Sequence, residues 1–277
     1  MDVVHTVAKL RERLAPESAI AFVPTMGNLH AGHIALVEEA RRHGGCVVAS
    51  IFVNRLQFEP GGDFDRYPRT LEEDCRRLEA AGCDVVFAPD EQELYPAPQE
   101  IVLAPPKSAA QLCGDFRPGH FQGVVTVVAK LFNIVRPHVA VFGRKDYQQL
   151  FVIRELVAQL NYPVRIVGVE TRRDPDGLAM SSRNGYLSAP ERAEAVRLTR
   201  NLEAVVAAIR SGRRDFDALC ESATADLTGA GWRVDYVAVR NRSRLAVPQA
   251  GDRDLVVLGA AWLGRTRLID NREADSP

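Results

Sequence analysis

Residues 20–37 read IAFVPTMGNLHAGHIALV, and the fold follows from how that stretch divides. Ile20 to Val23 is an unbroken apolar run that suits a buried strand. Pro24-Thr25-Met26-Gly27 is turn chemistry, and Ile34, Leu36 and Val37 supply the apolar face of a helix behind it. The turn sets His30 and His33 at or near the helix N-terminus, where backbone N–H groups and the positive end of the dipole favour an anion. Gly27 and Gly32 let the backbone approach a ligand that a Cβ would push away. Two histidines three apart point the same way, and each can donate a hydrogen bond to a phosphate oxygen or carry charge near neutral pH. The residues thus indicate an anion site, a nucleotide polyphosphate foremost. An H-x-x-H pair can also hold zinc, given further ligands, or be two solvated histidines. No HExxH is present, since residues 30–33 read His-Ala-Gly-His.

Composition bounds what the chain can be. Its 277 residues allow one large or two modest domains, and 46% hydrophobic with 26% charged residues is ordinary for a soluble globular protein. A formal net charge of −1 gives no electrostatic reason to expect nucleic acid as a partner. Five cysteines (Cys46, Cys75, Cys83, Cys113, Cys220) without a CxxC predict reduced thiols and a cytoplasmic protein. The N-terminus reads as an amphipathic helix over residues 3–14 and not as a signal peptide. No run approaches the ~20 apolar residues of a membrane span.

Going outward from the opening stretch, Cys46 to Asn54 is near-continuously apolar, as in a parallel strand covered on both faces. It ends in Asn54-Arg55-Leu56-Gln57-Phe58, at the strand edge where open α/β sheets bind ligands. A polar loop with Gly61, Gly62 and Asp63 leads to a helix over 71–81 and a strand over 84–88. Residues 89–118, rich in proline and turn formers, read as an extended crossing or lid. The stretch GVVTVVAKLFNIVRP (123–137) then reads as a long apolar helix that Pro137 stops. Then come a strand at 139–142, a helix at 147–160 and a strand at 164–169. Alternating strands and helices predict a parallel sheet with helices on both faces, Rossmann-like in layout, though no GxGxxG follows the first strand. Beyond a loop at 174–187 the pattern changes to helices at 189–211 and 215–229. Strands follow at 232–240 and 254–262, with a further candidate at 265–270, ahead of a polar, frayed tail from Asn271. The predicted fold class is α/β: a Rossmann-like parallel-sheet domain over residues 1–171 and a smaller C-terminal α+β domain over 172–277.

The phrase strand, turn, H-x-G-H, helix resembles the signature of the HxGH nucleotidyltransferase superfamily, which shares its core with class I aminoacyl-tRNA synthetases. The wider wording PTMGNLHAGH resembles one family in it, the pantoate–β-alanine ligases. Four further blocks follow in that family's order. NRLQF (54–58) is similar to its NPxQF, with Arg55 where proline is usual. RPGHFQGV (117–124) matches directly. FGRKDYQQ (142–149) resembles FGxKDxQQ, and DGLAMSSRN (176–184) resembles the loop that corresponds to KMSKS in the synthetases.

The resemblance implies an ATP-dependent ligase of pantothenate biosynthesis. Pantoate's carboxylate attacks the α-phosphorus of ATP to give pantoyl adenylate and pyrophosphate, and β-alanine then displaces AMP to give pantothenate, a coenzyme A precursor. It implies ATP-binding by Met26, Gly27, Asn28, Leu29, His30, Ala31, Gly32, His33, Gly143, Arg144, Lys145, Asp146, Arg172, Met180, Ser181, Ser182 and Arg183. Within that set His30, His33, Lys145, Ser181 and Arg183 are catalytic. Asn54, Gln57 and Gln149 would bind pantoate or β-alanine, with Val124 and Val125 as apolar walls. It also implies Mg²⁺ with the ATP and a homodimer.

The residue chemistry agrees with those assignments without requiring them. Lys145 past a strand end can neutralise phosphate charge or be an ordinary surface lysine. Gln57 can hydrogen-bond a substrate or the backbone. Ser181, Ser182 and Arg183 make a phosphate clamp or a surface turn. Glu73 and Asp74 could bind magnesium through water, against a solvated helix face. His120 reads as a cap partner at a helix N-terminus and His138 as structural. Other enzymatic readings are a nucleotidyltransferase acting on a phosphorylated acceptor, or a nucleotide-binding regulatory module. No basic anticodon-binding domain follows to suggest tRNA charging.

Overall fold

The computed structural model describes residues 1–59, 61, 62 and 64–275. Asp63 of the polar loop lies outside the described residues. The chain divides into two compact units, Met1–Arg144 with Gln149–Glu170, and Lys145–Gln148 with Thr171–Pro277.

In chain order the first unit carries β1 (Asp2–Val4), α1 (Val7–Leu14), β2 (Ile20–Thr25), α2 (Ala31–Ala40) and β3 (Cys46–Ile51). It continues with α3 (Leu71–Ala80), β4 (Val85–Phe87), α4 (Glu91–Leu94), α5 (Cys113–Phe116), α6 (His120–Val135), β5 (Val139–Gly143), most of α7 (Tyr147–Gln159) and β6 (Arg165–Val169). Its sheet runs β1-β4-β3-β2-β5-β6, and every pair is parallel. From β2 the sheet extends through β3, β4 and β1 on one side and through β5 and β6 on the other. The topological switch therefore falls between β2 and β5, the place where open α/β sheets bind ligands at the carboxyl ends of their strands. The central strands are apolar on both faces: Phe22, Val23, Val48, Ala49 and Val141 have no exposed surface.

Two expectations about the first unit change. The first helix begins at Val7, not residue 3. Thr6 caps it by accepting from the Lys9 N–H at 3.3 Å, and Asp2–Val4 pairs as a strand with Val85–Phe87. Val3-Val4 is β-branched, and an open sheet edge captures it. The 89–118 segment is not wholly extended: it holds α4, a 3-10 turn at Lys107–Ala109, and α5. The apolar helix starts at His120, behind a left-handed Gly119 (φ 79°), and closes on a left-handed Arg136 (φ 53°) before Pro137.

The second unit carries α8 (Ala189–Glu194), α9 (Val196–Arg210), α10 (Phe216–Gly229) and an antiparallel sheet β7 (Arg233–Asn241), β8 (Asp254–Leu263), β9 (Thr266–Asp275) in that order. Leu198, Leu202, Val206 and Ile209 of α9 pack with Leu219 and Leu227 of α10, and with Leu255, Val257 and Leu268 of the sheet. The single helix expected over 189–211 is two. α8 opens on a Ser188–Glu191 capping box and ends at Glu194, and α9 begins after Ala195. The expected frayed tail is instead strand. β9 continues to Asp275, paired residue for residue with β8, and Ala274 is fully buried. Together these layers give the α/β class expected, a parallel-sheet unit followed by a smaller α+β unit. Among the described residues no helix is long and apolar enough to cross a membrane.

Candidate active site

The turn after β2 is held from outside. Gly27 and Asn28 adopt left-handed conformations, φ 80° and 51°, which a non-glycine residue keeps only under constraint. The constraint comes from α3. Asp74 accepts from the Asn28 N–H at 2.9 Å, the Leu29 N–H at 2.8 Å and the Thr70 hydroxyl at 3.0 Å. One helical turn on, Arg77 donates to the Leu29 carbonyl. Asp74 is only 1% exposed, so its place on a solvated face is overturned. It shares a helix face with buried Leu78, and this i, i+4 placement was the available sequence signal. Glu73, by contrast, sits in solvent, paired with Arg76 and Arg77.

That turn delivers His30 as the N-cap of α2. The Gly32 N–H donates to His30 Nδ1 at 3.1 Å, and the His30 N–H donates to His33 Nδ1 at 3.2 Å, so each ring caps the helix. The rings lie 4.1 Å apart between centroids. An Nδ1 that accepts leaves the proton of a neutral imidazole on Nε2, so each ring donates through Nε2. Two N–H donors on the first turn of a helix, at a sheet's switch point, suit phosphate oxygens.

Beside β2, β3 ends and Asn54 caps a 3-10 turn, Arg55–Gln57. Asn54 is buried, and its orientation is fixed chemically. Its Oδ1 accepts from the Leu56 N–H at 3.4 Å and the Tyr95 hydroxyl at 2.8 Å. Its Nδ2 donates to the Gly123 carbonyl at 3.1 Å and to Gln57 Oε1 at 3.2 Å. The Gln57 amide is thereby turned so that its NH₂ faces Met26 Sδ, 2.9 Å away, which links the two motif turns. The Gln57 carbonyl accepts from Arg117 at 3.3 Å and His120 Nδ1 at 2.9 Å, and His120 Nε2 accepts from Arg117 at 3.1 Å. His120 is therefore no cap of α6, whose N-cap Gly119 makes no side-chain bond; it braces Gln57 instead. Arg55, at the family's proline position, points outward to Glu91 at 2.9 Å and lies 3.9 Å over the Phe64 ring. Burial pushes the Tyr95 hydroxyl's pKa up and the Lys130 ammonium's down; the ammonium lies 4.6 Å over the Tyr95 ring. The Ile20 N–H donates to His138 Nδ1 at 3.1 Å, a structural contact. Gly143 closes β5, Arg144 pairs with Glu170, and Gln149 lies half-buried on α7.

Lys145, Asp146, Arg172 and Met180 to Arg183 belong to the second unit. Lys145 keeps 18% of its side chain exposed, with Nζ 4.0 Å from the Asp146 carboxylate, and its carbonyl accepts from Asn271 Nδ2 at 2.9 Å. Residues 172–180 fold back on themselves through the Met180 N–H to the Arg172 carbonyl, 3.0 Å, and an Arg173–Ala179 bridge. Ser181 then caps a 3-10 turn, Ser182–Tyr186, its hydroxyl oxygen accepting from the Arg183 N–H at 3.2 Å. Arg173 ties this loop down, donating to Asp270 at 2.8 Å through both Nη atoms. Sequence reasoning missed Arg77, Tyr95, Arg173, Asp270 and Asn271, because their partners are remote in sequence.

The family model for pantoate–β-alanine ligase matches residues 2–273 of the chain. A pantothenate synthetase of Thiobacillus denitrificans is 64% identical over 277 residues, covering 100% of this chain and 98% of that protein. The crystal structure of pantothenate synthetase from Thermus thermophilus is similar with a TM-score of 0.94 at 45% identity, over 98% of this chain and 99% of that one. A pantoate–β-alanine ligase from Francisella tularensis, complexed with a β,γ ATP species and β-alanine, is similar with a TM-score of 0.80 at 31% identity, over 98% of this chain and 97% of that one. With a match from end to end in sequence and in fold, the chain belongs to the pantoate–β-alanine ligase family.

Proposed function

We propose that the chain joins pantoate to β-alanine at the expense of ATP through a pantoyl adenylate, with His30, His33, Lys145, Ser181 and Arg183 as the catalytic groups. It is a ligase that forms a C–N bond. A carboxylate oxygen of pantoate attacks the α-phosphorus, the bond to the bridging oxygen breaks, and pyrophosphate leaves with the electron pair. The amine of β-alanine then attacks the acyl carbon, the C–O bond to AMP breaks, and the amine loses a proton. A carboxylate is a weak nucleophile, so orientation and charge neutralisation carry the first step.

In this reading the Nε2–H groups of His30 and His33 donate to phosphate oxygens. Lys145 and Arg183 neutralise the charge that develops on the leaving pyrophosphate, with the Ser181 and Ser182 hydroxyls as further donors. Met26 to Gly32, Gly143, Arg144, Asp146, Arg172 and Met180 line the nucleotide. Gln57 offers its NH₂, and Asn54 and Gln149 complete the acid's site. Mg²⁺ bound on the polyphosphate supplies further charge neutralisation. The protein works as a homodimer in the cytoplasm.

The observation that supports this reading best is the 2.9 Å contact of Gln57 Nε2 with Met26 Sδ, which sets an amide donor for a carboxylate beside the turn that presents two imidazole donors for phosphate. The test is AMP and pyrophosphate release from ATP, Mg²⁺ and (R)-pantoate, with and without β-alanine. Sustained AMP release that needs both acids is expected. Binding of ATP without pantoate-dependent release would overturn the reading in favour of another acceptor.

A further inference from the structure

We propose that Asn271 and Glu273 of β9 are positioning residues that set Lys145 on the same frame as the 172–183 loop. The C-terminal unit would then present the lysine and the Ser181–Arg183 donors as one body; this rests on Lys145 acting on the phosphates, as above. The chain passes from β5 into α7 through Lys145–Gln148, yet those four residues pack into the second unit while both flanks belong to the first. Two bonds tie this segment to β9. Asn271 Nδ2 donates to the Lys145 carbonyl at 2.9 Å, and the Tyr147 hydroxyl donates to Glu273 Oε1 at 3.2 Å. Residues 271 and 273 alternate along one strand, so they lie on the same side of it. Arg242 holds Glu273 in turn, at 2.9 Å.

Asn271 is itself fixed by the group that fixes the loop. Its N–H donates to Asp270 Oδ1 at 2.7 Å and its carbonyl accepts from Arg173 at 3.2 Å. The same Arg173 grips Asp270 with both Nη atoms and donates to the Gly177 carbonyl at 3.0 Å. Thr199 donates to the Asp270 carboxylate as well. Asp270 is 4% exposed. A buried pair of this kind adds little net stability over an apolar pair of similar volume, whereas its several directed bonds hold backbone groups in one geometry. Fixing the Lys145 carbonyl fixes the plane from which its side chain departs, and small misplacements of a charge-neutralising group are expensive in rate.

The test is a double-mutant cycle on the half-reactions. Asn271→Asp keeps the side chain's shape and removes its donor. Pyrophosphate release with pantoate is expected to fall about tenfold, while attack of β-alanine on preformed pantoyl adenylate stays within about twofold. In a Lys145→Ala background, Asn271→Asp should change adenylation by less than about twofold, because the group it positions is gone. An equal loss in both half-reactions, the same factor in both backgrounds, or no loss would overturn the inference and leave the Lys145 assignment standing. Near-wild-type adenylation by Lys145→Ala alone would overturn that assignment, and the inference with it. Should Asn271→Asp not fold, Tyr147→Phe, which removes one hydroxyl from the second bond, is put through the same cycle with the same expected pattern.

Discussion

Replacing Asp74 by alanine separates what the HxGH turn needs from what it displays. The carboxylate serves two backbone N–H groups and one hydroxyl, and it is 1% exposed. Without it the Leu29 N–H is left in a buried place and the Asn28 N–H in a half-buried one. A buried donor without a partner costs about 1–3 kcal/mol, so the pair costs roughly 3 kcal/mol, with water recovering part of the second. The left-handed Asn28, strained by about 1–2 kcal/mol, loses its restraint as well. In a chain of 277 residues roughly 3 kcal/mol lowers the thermal midpoint by about 5 °C. Asp74→Asn keeps one acceptor and turns an NH₂ toward the other N–H, so it should cost less but still disturb the turn.

The direct assay is hydrogen exchange on the peptide spanning residues 26–33, alongside the midpoint and the pyrophosphate-release rate. Asp74→Ala should lose protection at Asn28 and Leu29 before any general loss. Asp74→Asn should stay folded and adenylate at least about tenfold more slowly, because His30 caps α2 only if the turn delivers it there. Unchanged protection at those two amides in Asp74→Ala, or wild-type adenylation in Asp74→Asn, would refute the reasoning.

Further outcomes follow from other parts of the structure. Tyr95→Phe removes the donor to Asn54 Oδ1, and steady-state kinetics should show the KM for pantoate raised about threefold or more with that for ATP unchanged. Gly123→Ala would set a Cβ 2.2 Å from the Leu56 carbonyl oxygen, so the Arg55–Gln57 turn must shift; calorimetry should find pantoate binding at least about tenfold weaker. Burial lifts the Cys83 thiol to about 12, so its contribution to stability is intact below the unfolded thiol's value near 9 and is lost as pH rises through 12. Urea midpoints should therefore fall between pH 8 and pH 10.5, and Cys83→Ala should flatten that slope in part, since Cys46 and Cys220, both lifted to about 11, and Cys75, also raised by burial, act in the same direction.

What the sequence disclosed is what faces outward from a regular frame. The opening stretch was legible because apolar runs fix β2 and α2 locally, and the glycine and histidines between them leave few other shapes. The same logic failed at β9. Its buried positions include Asp270 and Asn271, which read as a polar tail until their partners are known, and Arg173 lies 97 residues away from Asp270. Asp74 was hidden similarly: on a helix surface a carboxylate reads as solvated, and only the peptide it grips 45 residues earlier shows otherwise. The break between α8 and α9 carries neither glycine nor proline, so nothing local announces it.

The two units solve one problem with the same chemistry. At Leu29 the N–H goes to Asp74 and the carbonyl to Arg77; at Asn271 the N–H goes to Asp270 and the carbonyl to Arg173. Each residue's backbone is thus gripped by a carboxylate on one side and a guanidinium on the other. Charge-assisted bonds are shorter and stronger than neutral ones, and a peptide held at both its donor and its acceptor has little rotational freedom left. Leu29 immediately precedes His30, and Asn271 holds the carbonyl of Lys145. In both cases the grip lies one covalent or one hydrogen-bonded step from a group assigned to phosphate. A residue that touches ATP can be exchanged only at the loss of a contact, whereas a residue that grips the backbone behind it can be exchanged only at the loss of a geometry. Substitutions at Asp74, Arg77, Arg173 and Asp270 should therefore lower the rate of adenylation more than they weaken the binding of ATP, and substitutions at His33 or Arg183 should do both.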